Sequence, residues 1–216
     1  MTATATPVHS SALQHADASA VAGALRRLPH LVLHAETATR SVTALAARTG
    51  DGFAMLTPRR GRTPLLTRGP GDRLSRELAR VVPALQCLVG AVGAVAGRAS
   101  PPVAEEKLGA GDLLALAELV RRGDQRRLDV ACADLGIRGL PWWITDFAWG
   151  AQAQLAIALV IDGECRACAS MQLLEHGWGC LHADDAGDIG FAALTPERVQ
   201  ARVGTFVRLL MGAADA

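Results

Sequence analysis

The chain has no tyrosine and a single lysine, Lys107, among its 22 basic residues. Its positive charge is therefore carried by arginine, which cannot be neutralised at physiological pH and which grips planar anions with a rigid fork of donors. The lysine stands in Glu105-Glu106-Lys107-Leu108, outside any G-x-x-x-x-G-K-[ST] context, so a P-loop is excluded as a motif. Gly109-Ala110-Gly111 opens a G-x-G, but no third glycine follows at the required spacing. A proline-rich linker and not a strand precedes it, so the dinucleotide fingerprint fails. H-E-x-x-H, G-x-S-x-G and the EF-hand loop are missing too. There is no surplus of charge: 22 basic residues face 21 acidic ones, which gives no support to nucleic-acid binding. No apolar run is long enough to span a bilayer. The longest, Val81–Gly97, holds Pro83, Gln86 and three glycines and reads as a buried helix and loop. Met1–Ser11 has neither a basic start nor an apolar stretch, which predicts no secretory signal and a cytosolic location.

What is present fits a globular protein. Half of the 216 residues are hydrophobic and 20% are charged, enough apolar surface for a sizeable core. Five cysteines are an odd number in a chain too long for a small disulfide scaffold. The abundance of alanine and arginine reads as the coding bias of a GC-rich, actinobacterial genome.

Residues 1–11 read as a loose leader. Apolar residues at helical spacing predict a helix over 12–28, stopped by Pro29. Strands are expected at Leu31–Glu36, Ser41–Arg48, Gly52–Thr57 and Thr63–Thr67, with turns at Thr49-Gly50-Asp51-Gly52 and Pro58-Arg59-Arg60-Gly61. A helix follows over about Asp72–Val82. After a linker at 97–111, Asp112 is read as the N-cap of a helix through Arg121, and a second helix covers about Gln125–Leu135. Strands recur at Gln152–Ile161, Cys165–Leu174, Trp178–Ala183 and Asp188–Leu194. Thr195-Pro196-Glu197 starts the last helix, which is expected to bury Val199, Val203, Phe206 and Leu210.

A shift of 125 residues aligns the two halves without a gap. Gly52-Phe53 falls on Gly177-Trp178, Leu56 on Leu181, Leu78 on Val203 and Val81-Val82 on Phe206-Val207. The fold expected is α+β, a single domain of two quasi-symmetric halves, each an antiparallel sheet with a C-terminal helix. The repeats cover about 12–83 and 150–211, with a helical pair inserted at about 112–136.

Four groups of side chains carry potential chemistry. Cys165 and Cys168 form a C-x-x-C, with His176, Cys180 and His182 downstream. On a strand the first two point to opposite faces, and a hairpin spreads the others along it, so no metal or other cofactor is expected. His30 and His34 share a strand face, within reach of pairing with Asp51 or Asp72, but make no recognisable catalytic set. Two arginine clusters, Arg59-Arg60-Gly61-Arg62 and Arg121-Arg122-Gly123-Asp124-Gln125-Arg126-Arg127, read as solvated tips, with docking to phosphate or to an acidic partner as the alternative. The segment Pro141–Gly150 holds Trp142, Trp143, Phe147 and Trp149. Two readings stand for them: they close the core between the helical pair and the second sheet, or they form a recognition surface. Since adjacent tryptophans in an extended segment cannot both face inward, these four are the candidate partner-binding residues.

The stretch Ser41–Pro83 resembles the EspG family of actinobacteria, cytosolic chaperones of ESX (type VII) secretion. It carries Ser-Val-Thr-Ala-Leu-Ala-Ala-Arg-Thr-Gly, a hairpin, and Asp-Arg-Leu-Ser-Arg-Glu-Leu-Ala-Arg-Val-Val-Pro. Gly177-Trp178 and Leu194-Thr195-Pro196-Glu197-Arg198-Val199 resemble that family's end. Glu164-Cys165-Arg166-Ala167-Cys168 stands where the family has a Gly-Arg-Tyr-like signature. The resemblance implies two related αβ halves, no enzymatic activity, and a PE–PPE-like secreted partner kept soluble before export. The alternatives are a small-molecule- or zinc-binding enzyme on a duplicated scaffold, and a homodimeric interaction module.

Overall fold

A computed structural model describes residues 8–81, 107–175, 177–183 and 185–213. Apart from Val81, the apolar run Val81–Gly97 lies outside the described residues. The protein is α+β, with antiparallel sheet and six helices among the described residues. The chain divides into two compact units, one containing residues 8–81, 155–169 and 200–213, the other residues 107–154 and 170–199.

In the first unit, strands β1 (His9–Ala12), β2 (His30–Thr37), β3 (Ser41–Thr49), β4 (Gly52–Arg59) and β5 (Arg62–Pro70) hydrogen-bond in the order β1-β5-β4-β3-β2, antiparallel throughout. The hairpin of β7 (Ala153–Ile161) and β8 (Glu164–Leu174) continues this order beyond β2. Four consecutive residues of β3, Ala44–Ala47, and five of β4, Phe53–Thr57, are buried. Side chains alternate along a strand, so runs like these require cover on both faces. Helix α1 (His15–Leu25) supplies one cover: Leu25, Val21 and Ala22 pack with Leu45, Leu56 and Leu66, which are register partners across three strands. Helix α2 (Leu74–Val81), entered through a 3-10 turn at Gly71–Arg73, packs on β3 with Leu74 and Leu78 fully buried.

One expectation fails here. Residues 9–11 are not part of a loose leader, nor does Ala12 open the first helix: together they form strand β1, whose Ser10 hydroxyl meets that of Thr67 at 3.2 Å. All four residues are exposed, so no apolar pattern advertised a strand that is held by backbone pairing.

In the second unit, β6 (Leu108–Gly109), α3 (Ala110–Arg122), α4 (Gln125–Asp134) and α5 (Trp142–Trp149) precede β9 (Gly177–Ala183) and β10 (Asp188–Leu194). The strand order is β8-β9-β10-β6, antiparallel where register is defined. Helix α3 starts three residues earlier than expected, with Gly109 and not Asp112 as its N-cap. Asp112 lies in the first turn, where a negative charge still favours the helix. In α4 the Asp124 carboxylate accepts from the Arg127 backbone N–H at 3.2 Å.

Helix α6 (Pro196–Gly212) closes the described chain. Arg198 donates its backbone N–H to the Thr195 hydroxyl, and Val199, Val203, Phe206 and Leu210 are buried as the spacing predicts. Within the first unit the Arg48 guanidinium donates to the Met211 carbonyl. Both stretches β2–α2 and β7–α6 run as four strands and a helix in this order. The shift of 125 residues carries the first residue of β4 onto the first of β9 and the last residue of β3 onto the last of β8.

Candidate functional site

The aromatic segment is helix α5 and not an extended strip. Pro141 precedes its first turn, and Gly150 ends it at φ +92°. The helix turns the adjacent tryptophans through about 100° and not 180°, so both reach the same ring. Trp143 stacks on Phe191 with centroids 5.6 Å apart and planes 9° from parallel, while Trp142 meets that ring edge-on at 5.2 Å. Gly179 makes this possible, because a Cβ there would stand 1.9 Å from the Phe191 ring. Trp143 and Ile144 are fully buried with Leu113, Leu116, Leu128 and Leu174.

The four candidate residues therefore separate. Trp143 is a core residue and presents nothing to a partner, which corrects the expectation for it. Trp142 and Phe147 are half-buried against the same core. Trp149 is 69% exposed at the end of α5. Two apolar side chains that the sequence reading did not single out join it at the surface of this unit: Leu114 of α3 is 60% exposed and Val130 of α4 57%. They stood within otherwise ordinary amphipathic helices, and only the facing of those helices reveals them.

Arg121 Nε donates to the Ala148 carbonyl at 2.9 Å, which ties α3 to α5 beside Trp149. Glu118 binds both Arg121 (3.1 Å) and Arg122 (2.9 Å), and these contacts, Arg122 first, hold its carboxyl below its ordinary range. Arg127 pairs with Asp124 at 3.5 Å.

Cys165 and Cys168 are exposed on β8, whereas Cys180 is buried on β9 with its thiol on the Leu181 carbonyl. His182 lies over Gly190, its register partner on β10. His176 lies outside the described residues. Among the described residues no three His, Cys, Asp or Glu side chains are grouped to hold a metal. Burial pushes the Cys132 thiol up, helped by the Asp129 charge, so it is the less reactive protonated form that prevails there. His30 and His34 pair locally and not with Asp51 or Asp72: His30 Nδ1 lies 2.8 Å from the Leu28 carbonyl, and His34 touches Thr43 (3.0 Å) and Glu36 (3.5 Å).

No helix among the described residues is long and apolar enough to cross a membrane. No protein-family model matches this chain, and no curated protein matches it.

Proposed function

We propose that the chain is a cytoplasmic secretion chaperone that binds a PE–PPE-like type VII substrate and keeps it soluble before export. The observation that carries this reading is the set of large apolar side chains standing out from the helices of the second unit, led by Trp149. Tryptophan is the side chain most enriched at binding hot spots, because it removes a large apolar area from water at little cost in entropy. The resemblance of Ser41–Pro83 and of the chain's last helix to the EspG pattern supports the same reading. So does the succession of four strands and a helix that occurs twice.

The test is co-expression with a PE–PPE-like protein from the same genome. The substrate is expected to be soluble only with this chain and to co-purify with it. Trp149→Ala is expected to weaken the complex by about tenfold or more while leaving the thermal midpoint unchanged. A substrate equally insoluble with and without the chain overturns the reading.

A further inference from the structure

Strand alternation sorts the side chains of the first unit's sheet. Leu45, Leu56 and Leu66 face α1. Their neighbours one residue along therefore face the other way, toward α2: Thr57 is the register partner of Leu65, and Met55 of Thr67. Thr57, Leu65, Thr67 and Val42 line a cavity of about 620 Å³ on that side, together with Glu77 and Arg80 of α2. This volume lies within the range of small-molecule sites.

The rim is arginine. Arg40 reaches it from the β2–β3 turn, Arg59, Arg60 and Arg62 from the β4–β5 turn, and Arg80 from α2. Against these five positive charges stands one carboxylate, Glu77, already held by Arg80 at 2.8 Å. Among the described residues the guanidiniums of Arg40, Arg59, Arg60 and Arg62 have no acidic partner. Arg59 and Arg62 are register partners across a two-residue turn, which Gly61 closes at φ +65°. Like charges set directly opposite each other disfavour the pairing that places them there.

A second observation points into the same space. Thr57 is 5% exposed and lines the cavity, and its hydroxyl has no hydrogen-bond partner among the described residues. Buried hydroxyls are normally satisfied. One ligand class answers both the unpaired guanidiniums and the orphaned hydroxyl: an oxyanion of more than one charge with several acceptor oxygens.

We infer that this cavity binds a small phosphate-bearing molecule. Its phosphate oxygens take the rim arginines and the Thr57 hydroxyl, and its organic body rests on Val42 and Leu65. A single carboxylate would satisfy one fork and leave the rest. A metal cation would be repelled. A nucleic-acid strand would find no aromatic ring in the lining on which to stack a base. The inference is confined to the first unit and does not depend on the chaperone reading.

The experiment titrates the full chain with pyrophosphate and with AMP, following the thermal midpoint and the heat of binding. Sodium chloride at matched ionic strength, citrate and a short oligothymidylate serve as comparisons. Pyrophosphate and AMP are expected to raise the midpoint as their concentration grows, as mass action requires of a ligand for the folded state. R59Q/R62Q is expected to weaken pyrophosphate about tenfold or more, and Thr57→Val about fivefold. Circular dichroism verifies the fold of each variant. Arg40→Gln, at an exposed turn, gives a second and independent loss should the double variant fold poorly. A response no larger than that to chloride, or one that survives in R59Q/R62Q and Arg40→Gln alike, overturns the proposal. Equal affinity for citrate overturns the phosphate assignment, and tighter binding of the oligothymidylate overturns the small-molecule one.

Discussion

Two arginine clusters that look alike in the sequence behave differently once folded. Arg121 and Arg122 spend their donors inside their own unit, on Glu118 and on the Ala148 carbonyl. Arg59, Arg60 and Arg62 stand around a cavity with no acidic partner among the described residues. The difference follows from secondary structure. On helix α3 a glutamate three and four residues before the arginines lies on their own face. On a two-residue hairpin no such neighbour exists, and the register sets Arg59 against Arg62. Charge density in a sequence therefore says little about charge availability. What decides is whether the local geometry offers each guanidinium an acceptor.

The strongest way to break this comparison is to neutralise each cluster and read ligand binding. R59Q/R62Q should lose about tenfold or more in affinity for pyrophosphate, while R121Q/R122Q should bind it as the parent does. Equal losses would mean that both clusters act only as diffuse positive charge. Stability should then respond in the opposite sense. Arg121→Ala removes the bond to the Ala148 carbonyl as well as the pair with Glu118, and should cost about 1–2 kcal/mol in urea unfolding. Arg59→Thr, in ligand-free buffer, should cost nothing and gain a few tenths of a kcal/mol, to at most about 1 kcal/mol, by relieving the like-charge pair with Arg62. A loss on Arg59→Thr as large as that on Arg121→Ala would show that Arg59 has a protein partner after all.

The same contrast explains what the sequence could disclose. Strands β2 to β5 and β7 to β10 were legible because apolar alternation and turn glycines are local signals. Strand β1 was not, since backbone pairing with β5 leaves no trace in four exposed residues. No element was assigned to Pro141–Gly150, because aromatic residues favour strands by propensity and the eight residues of helix α5 leave little room for a helical pattern. Contact of Trp142 and Trp143 with one distant ring, Phe191, overrides that preference. Trp149 was found as a candidate, but Leu114 and Val130 depend on which helix face tertiary packing leaves uncovered. In the cavity only the run Arg59-Arg60-Gly61-Arg62 was visible. Arg40, Thr57, Glu77 and Arg80 come from separate elements that share no spacing rule.

The smallest expected effect lies in acid. Hydrogen bonds from Arg122 and then Arg121 hold the Glu118 carboxyl below its ordinary value of 4.5 in the folded state. A carboxylate so depressed contributes stability that is complete above its unfolded pKa and is lost as the pH falls through the lower folded value. Urea midpoints should thus be flat in this respect from neutrality down to about pH 5 and decline below it. Glu197 adds to the same decline, since its own backbone N–H and the Thr195 hydroxyl lower its pKa as well. The contribution of Glu118 is therefore the difference between the parent and Glu118→Gln, measured side by side across the acid range. Glu118→Gln should show a shallower decline, and R59Q/R62Q should follow the parent. If Glu118→Gln loses as much stability in acid as the parent, the pairs on α3 are mere proximity, and the second cluster is as unspent as the first.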